Sequence, residues 1–158
     1  MSVPDDALAL GGEPTAAGLF LFEVDGVPIG RFKEVSGLRL DVTVEEYVEG
    51  GQNAYVHQLP GVMRWPNLVL TRGLVESDAL FAWVQKSSGE GFAGAENKLT
   101  RATGAVTVVN HRGERLRSWE VQGVFAVSWS GPTLSSESED ALTETLEVAH
   151  NGFRSQTL

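Results

Sequence analysis

The sequence predicts a mainly β fold, in which two packed antiparallel sheets form a barrel or sandwich with one flanking helix. Three observations support this. Several segments alternate apolar and polar residues with a period of two, as strands with one buried and one solvated face do. The 158 residues include 18 glycines, which suits a chain with many turns. One segment alone has the end signals and apolar spacing of a helix.

The chain begins with a segment that has no sustained pattern. Residues 1–18 contain several Gly and Pro residues, and we expect a flexible N-terminal tail there. Residues 19–24 are rich in β-forming side chains and predict a strand that ends at the turn pair Asp25-Gly26. A second strand is expected over 29–35, followed by a bulge or tight bend at Ser36-Gly37.

The next segment contains a regular strand and the longest connection. Residues 38–46 alternate, so Leu38, Leu40, Val42 and Val44 are expected to be buried. A return strand is expected over 67–72. Between them, residues 47–66 contain Gly50-Gly51 and a stiff Leu59-Pro60-Gly61 corner. Because long loops in compact domains are usually functional or disordered, we expect 47–66 to be an extended loop that reaches another copy of the chain.

One helix is predicted over 77–88. Ser77 is a suitable N-cap, Asp78 suits the positive end of the helix dipole, and Gly89 can end the helix. The expected buried stripe consists of Leu80, Phe81, Trp83 and Val84. Residues 89–104 contain four glycines and predict a surface loop.

The C-terminal half predicts three strands. They cover 105–109, 116–130 and 141–150, with a hairpin turn at 110–113 and an acidic, serine-rich loop at 135–140. Strict alternation in 116–130 places Trp119, Val121, Phe125, Val127 and Trp129 on one face. In the last strand, Leu142, Leu146 and Val148 are expected to face inward.

Four of these strands are expected to form one sheet with a polar outer side. That side has more acidic than basic residues. Its expected members are Arg39, Asp41, Thr43, Glu45, Asn67, Thr71, Ser118, Glu120, Gln122, Ser128, Thr143, Thr145 and Glu147. A monomeric β-sandwich with a solvated outer sheet is one explanation. Closure of several copies into a ring is the other, because it would remove exposed sheet edges.

Composition excludes several classes of function. The formal net charge of −9 argues against a nucleic-acid-binding surface, which requires a basic face. The absence of cysteine excludes disulfides, zinc fingers and thiol catalysis. No apolar run is long enough to cross a bilayer and no basic n-region marks a signal peptide, so we expect a cytoplasmic product without membrane anchoring.

The sequence shows no catalytic frame, so we expect no enzymatic activity and no cofactor. His57, His111 and His150 lack the spacing of metal ligands and are interpreted as surface or packing residues. Neither Ser36 nor Ser130 lies in a nucleophile elbow. Trp119 and Trp129 are interpreted as core residues, and Trp65 as either a local core residue or an interface anchor.

A series of motifs resembles the contractile phage tail tube family, in the family's order and over about residues 20–153. The motifs are Phe22-Glu23-Val24-Asp25-Gly26, Ile29-Gly30-Arg31-Phe32, Glu34-Val35-Ser36-Gly37-Leu38, Glu46-Tyr47, Glu49-Gly50-Gly51, Leu59-Pro60-Gly61, Pro66-Asn67-Leu68, Leu70, Arg72-Gly73, Trp129-Ser130-Gly131-Pro132 and the run from Glu144 to Gly152. Trp65 departs from the family's usual tyrosine but keeps an aromatic ring, and the 89–104 loop is longer than expected.

The resemblance implies a structural tube subunit, with residues 19–158 as the tail tube domain. It implies homohexameric rings stacked into a tube, whose inner sheets merge into a larger barrel around an acidic channel for DNA or effector protein. Such tubes occur in phage tails, R-type bacteriocins and extracellular contractile injection systems. A contractile sheath, a baseplate and a tail terminator are the implied partners, with assembly in the bacterial cytoplasm.

The resemblance also suggests roles for particular residues. The polar side listed above would line the channel. Asp78, Gln85 and Lys86 are candidates to face the sheath. The candidates for contacts between subunits or rings are Tyr47, Gly50, Gly51, Tyr55, His57, Leu59, Pro60 and Trp65.

Two alternatives remain open from the sequence. A monomeric β-barrel that binds a small apolar ligand would not need the 47–66 segment. A hydrolase is the weaker alternative, because no nucleophile and base are recognisable.

Overall fold

The computed structural model describes residues 18–51, 55–87 and 101–156, which contain ten strands and one helix. The predicted tail, up to residue 17, and most of the predicted 89–104 loop lie outside the described residues. The elements are β1 Leu19–Val24, β2 Val27–Phe32, β3 Glu34–Ser36, β4 Asp41–Tyr47, β5 His57–Arg64, β6 Leu68–Gly73, α1 Ala79–Ser87, β7 Ala102–Val109, β8 Arg115–Ser130, β9 Thr143–Ala149 and β10 Phe153–Gln156.

The main sheet closes into a barrel within one chain. Its strand order is β2-β1-β7-β8-β9-β6-β3, and every pairing in it is antiparallel. The first and last strands of this order, β2 and β3, follow each other in the sequence and form one bent segment. At the bend, the amide of Lys33 donates to the carbonyl oxygen of Thr71 over 3.0 Å. The mainly β barrel is therefore confirmed, and its sheet is joined at this seam without strands from another copy.

The core lies between two halves of this barrel. Phe22 and Val106 project from the β1–β7 half, and Leu70 and Leu146 project from the β6–β9 half. Helix α1 covers the core beside β2 and β8, and the ring of Trp83 lies edge-on to that of Phe22 at 5.7 Å. The buried core residues are Phe22, Val24, Ile29, Phe32, Leu68, Leu70, Leu80, Val106, Val121, Val124, Ala126, Leu146 and Val148.

The predicted strict alternation of β8 is wrong in its second half. The register between β7 and β8 shifts near Gly123, whose φ of 63° suits glycine. Because of the extra residue, the positions that face the core shift by one along β8. Val124 and Ala126 are therefore buried in place of the predicted Phe125 and Val127.

Other element boundaries also differ from prediction. The helix begins at Ala79, two residues late, because the carbonyl of Asp78 accepts the first helical bond, from the amide of Ala82. Phe81 in its predicted buried stripe is exposed but packs edge-on against Trp129 at 5.1 Å. Strand β7 begins inside the predicted 89–104 loop, and β10 was not predicted. No helix in the described part of the chain is long and apolar enough to cross a membrane.

Two predicted turns, at Asp25-Gly26 and at 110–113, are confirmed. Asp25 and Gly26 have φ values of 50° and 78°, so they form the type I′ turn that joins β1 to β2. Residues 110–113 form the turn between β7 and β8, closed by a bond from the Gly113 amide to the Asn110 carbonyl.

Candidate assembly surfaces

Strands β4 and β5 form a separate hairpin, which we call the arm. The two strands pair with each other in a two-stranded sheet, from Asp41 opposite Arg64 to Tyr47 opposite His57. Two predictions are corrected here. Residues 38–46 do not join the sheet that contains β6, β8 and β9, and 57–64 of the predicted loop form a strand.

A bulge shapes the arm at its centre. The pairing shifts between Val42 and Val44, and the Thr43 hydroxyl fills the gap by accepting a hydrogen bond from the Val62 amide at 2.7 Å. Gly61 is required beside it, since a Cβ at Gly61 would lie 2.4 Å from the Thr43 hydroxyl oxygen. The bulge therefore depends on a hydroxyl on β4 and a glycine on β5.

One face of the arm is apolar and exposed. Val42 lies opposite Met63 and Val44 lies opposite Pro60, so these four side chains share a face. Val44 is 57% exposed and Met63 is 53% exposed. The prediction that Leu40, Val42 and Val44 are buried is wrong for a single chain, because the arm projects from the barrel and no other strand or helix among the described residues packs over it. An exposed apolar surface of this kind is typical of an interaction site.

Aromatic side chains gather towards the far end of the arm. The ring of Tyr55 lies edge-on to that of His57 at 4.9 Å, and Tyr47 lies 6.5 Å from it. The His57 Nε2 atom is 3.3 Å from a Glu49 carboxylate oxygen. Several predicted contact residues lie in the arm and its connection, namely Tyr47, Gly50, Gly51, Tyr55, His57, Leu59 and Pro60.

Trp65 is not part of the exposed arm. Its ring packs edge-on against Phe153 at 5.0 Å and lies 6.2 Å from the His150 ring. His150 is buried, where it bonds the Pro66 carbonyl through Nε2 and accepts the Gly152 amide at Nδ1. Of the two interpretations of Trp65, the local core role is therefore the one that the contacts support. His150 is a packing residue, as expected.

The outer face of β6 and β9 carries part of the predicted polar side. Thr71 lies opposite Thr145, and Glu147 lies opposite Ser128 on the neighbouring strand β8. The Asn67 side-chain amide donates to the Glu147 carboxylate at 2.9 Å. Thr143 follows the same phase on β9. We call Asn67, Thr71, Ser128, Thr143, Thr145 and Glu147 the polar face.

The other predicted members of that side lie elsewhere. Ser118 is only 3% exposed, and its hydroxyl lies 3.1 Å from that of Thr107. Glu120 shares the outer face of the β1–β7 half, on the opposite side of the core from the polar face. Gln122 lies at the β8 irregularity. Four more members precede or lie in the arm: Arg39, Asp41, Thr43 and Glu45. The prediction of one continuous side failed for two reasons. The arm is not part of the main sheet, and the main sheet curves so that the outer faces of its two halves lie on opposite sides of the core.

A buried ion pair was missed by the sequence analysis. The Nε atom of Arg72 on β6 donates to a carboxylate oxygen of Glu144 on β9. The other oxygen accepts the Trp129 indole N–H at 3.1 Å. The guanidinium also lies over the Phe32 ring at 5.5 Å. The sequence does contain a signal for this pair. Arg72 lies on the same strand face as the apolar Leu68 and Leu70, and Glu144 lies on the same face as Leu146.

The solvent-facing side of α1 carries the residues proposed to face a sheath. Asp78, Gln85 and Lys86, the candidates to face a sheath, are all exposed. Within the residues that the structure describes, no three His, Asp or Glu side chains come together as a possible metal site.

Comparison with known proteins decides the family. The family model for the T4-like virus tail tube protein gp19 matches residues 17–154. The chain belongs to this tail tube family. A tail tube protein is a structural component of a phage tail or tail-like particle, and the resemblance in the motifs is thereby confirmed.

Solved structures share the fold of this tail tube protein. One is a chain of the PVC sheath–tube complex, an extracellular contractile injection system in the extended state, with 21% identity, 100% of both chains covered and a TM-score of 0.74. A chain from the PVC sheath/tube terminator has 23% identity, covers 92% of this chain and 99% of that chain, and has a TM-score of 0.74. A chain from the anti-feeding prophage (AFP) baseplate has 21% identity, covers 92% and 97%, and has a TM-score of 0.70. A search of curated proteins gave no match.

Proposed function

We propose that this tail tube protein forms homohexameric rings that stack into the inner tube of a contractile particle, around an acidic channel that carries DNA or effector protein. The observation that carries this proposal is the arm, in a chain that belongs to the tail tube family. The arm exposes an apolar face formed by Val42, Val44, Pro60 and Met63. Packing that face on a neighbouring copy would remove it from water, which favours assembly.

The polar face is the candidate lining of the channel. Its charged member is Glu147, and Glu34 is exposed on the neighbouring strand, opposite Thr71. Carboxylates repel nucleic acid phosphates, so a passing DNA would not adhere to such a wall. A ring of six copies would carry about 54 formal negative charges, nine from each copy. Cohesion within a ring must therefore come mainly from strand pairing and apolar burial.

The implied partners are a sheath, a baseplate and a tube terminator. The structural relatives come from a sheath–tube complex, a sheath/tube terminator and a baseplate, which supports this set for the present chain. Assembly would take place in the bacterial cytoplasm. The exposed Asp78, Gln85 and Lys86 on α1 remain the candidates to face the sheath.

Electron microscopy of the purified protein tests the proposal. At high concentration we expect six-fold rings and tubes of uniform bore. The double variant Val44→Ser/Met63→Ser should lose these assemblies while keeping the circular dichroism spectrum of the folded barrel, because both side chains are exposed in the single chain. A wild-type protein that stays monomeric under all conditions would contradict the proposal.

A matched control separates the arm from general loss of apolar surface. Val27 is 60% exposed at the start of β2, outside the arm. Val27→Ser removes an exposed valine of similar accessibility, and we expect rings and tubes to form as in the wild type. Equal loss of assembly in the control and in the arm variant would remove the evidence for a specific role of the arm.

A further inference from the structure

The two ends of β8 lie in regions of opposite charge. The strand has 16 residues. It spans up to about 50 Å at the usual rise of a strand. Near its first residue lie Arg31, Arg112 and Arg115, which line one cavity. Near its last residue the sequence carries five exposed carboxylates, and 73–85 and 130–143 contain neither Lys nor Arg. The five are Glu76, Asp78, Glu137, Glu139 and Asp140.

The basic end contains a cavity of about 500 Å³. Leu19 and Leu21 form an apolar part of its lining, and Arg31 and Arg112 form a basic part. Arg115 is bound to Glu23, with Nη2 and Oε1 3.0 Å apart. Within 18–51, 55–87 and 101–156, neither Arg31 nor Arg112 forms an ion pair. In a chain with a net charge of −9, two exposed arginines above an apolar floor are suited to an acidic partner that also has an apolar side chain.

The acidic end carries a segment of that composition. The loop between β8 and β9 presents Leu134, which is 77% exposed, followed by Glu137 and Glu139. The amide of Leu74 donates to the Leu142 carbonyl over 3.0 Å, which places the 74–78 segment beside the end of this loop. The loop therefore presents one exposed apolar side chain together with several carboxylates.

We propose that the cavity receives the 134–140 loop of the next copy along the tube. Leu134 packs against Leu19 and Leu21, and the loop carboxylates pair with Arg31 and Arg112. A contact between two different surfaces of the same chain repeats without closing, and it builds a filament of fixed polarity. The inference rests on the proposed function, since it specifies how the rings of a tube stack.

The chemistry of the cavity favours this occupant over others. A small anion would bind the arginines but would leave Leu19 and Leu21 uncovered. The segment 1–17 also carries Asp5, Asp6 and Glu13, but only two of these carboxylates are together, since Glu13 lies seven residues beyond Asp6. The 134–140 loop concentrates an exposed leucine and three carboxylates within seven residues. It lies at the far end of the strand that starts beside the cavity, so parallel stacking of copies brings the two together.

Charge reversal tests the contact. The cavity variant Arg31→Glu/Arg112→Glu and the loop variant Glu137→Lys/Glu139→Lys each place like charges across the proposed contact. We expect each variant to form single rings and no tubes. All four side chains are exposed, so circular dichroism and thermal melting should match the wild type.

Mixing provides the decisive measurement. Rings of the cavity variant carry glutamates on both sides of the proposed contact, and rings of the loop variant carry arginines in the cavity and lysine substitutions at positions 137 and 139. Combined at equal concentration, they should form tubes of alternating rings, visible by electron microscopy and by sedimentation. A single chain with all four substitutions should stack with itself. Leu134→Ser should shorten the tubes without any change in charge. Tubes from either variant alone, or none from the mixture, would overturn the proposal.

Two controls identify the occupant. Lys86→Glu/Arg154→Glu makes the same change in net charge as the cavity variant at exposed positions outside the cavity, and tubes should persist. Asp5→Lys/Asp6→Lys should also leave tubes intact. Suppose that Asp5→Lys/Asp6→Lys forms no tubes alone but forms tubes when it is mixed with the cavity variant. The 1–17 segment is then the occupant of the cavity, and the proposal is wrong. A wild type without rings or tubes would instead contradict the proposed function.

Discussion

At the scale of single residues, the buried pair of Arg72 and Glu144 is the feature with the largest expected effect on stability. Both side chains are almost fully buried, with relative exposures of 6% and 7%. Removing one charge of a buried pair leaves the other without a partner, which is far more costly than the net value of the pair. The pair also connects β6, β9 and Trp129 on β8, so it links three neighbouring strands of the barrel.

We expect Glu144→Gln to lower the free energy of unfolding by about 3–5 kcal/mol, since Arg72 then remains buried and charged. Urea unfolding at one fixed protein concentration measures this. The double variant Arg72→Met/Glu144→Gln removes both charges and keeps an acceptor for the Trp129 indole. It should be more stable than the single variant. A double variant less stable than Glu144→Gln would contradict the argument.

This pair shows what residue patterns alone could predict. Arg72 lies two positions after Leu70, and Glu144 lies two positions before Leu146, so period-two alternation places both on the core side. Opposite charges in phase with apolar neighbours predict a buried pair once β6 and β9 are known to be adjacent. The adjacency itself depends on long-range register, which local alternation does not specify.

At the scale of elements, the arm was the least predictable part of the fold. Its strand β5 contains Pro60, and proline is a breaker in central strands because it lacks a ladder donor. The arm is an isolated two-stranded ribbon, where each strand has an unpaired edge, so proline is tolerated. By contrast, β1, β6, β8 and β9 were predicted to within three residues at either end, because each contains several apolar residues that pack in the core.

The hydroxyl of Thr43 is expected to hold the arm closed at its bulge. Thr43→Val removes the acceptor for the Val62 amide, which costs about 1 kcal/mol or roughly a fivefold change in the opening equilibrium. Amide hydrogen exchange at Val62, measured on dissociated subunits, should become faster by this factor. The melting temperature of the barrel should not change, because the arm lies outside the core.

Thr43→Ser is the matched control, since it keeps the hydroxyl and removes only a methyl group. Its Val62 exchange rate should be close to that of the wild type. Equal exchange rates in the valine and wild-type proteins would show that the hydroxyl does not stabilise the bulge.

At the scale of the whole molecule, the barrel closes on itself, and among the described elements the arm is left without a covering layer. The bend at Lys33 joins the first and last strands of the main sheet, so the barrel core can form in one chain. In the proposed assembly, contacts between copies would use the arm and the oppositely charged ends of β8. This division would let subunits fold first and assemble afterwards.

If the polar face lines a channel, as proposed, its charge should determine whether DNA binds inside the tube. Thr71→Lys/Glu147→Lys adds three positive charges per copy, two from the glutamate and one from the threonine, so a six-fold ring would gain about 18. The two positions are diagonal neighbours and not a direct pair, which limits repulsion between the new lysines. Tubes of this variant should retain a short DNA duplex that wild-type tubes release, and raising the salt concentration should free it.

Nuclease digestion distinguishes the channel from the outside of the tube. DNA held in the channel should survive digestion after the tubes are sedimented. Gln85→Lys, on the exposed side of α1, is the control for adhesion to the outer surface, and any DNA bound by it should be digested. If the DNA on the Thr71→Lys/Glu147→Lys tubes is digested as fast as free DNA, the polar face does not line the channel.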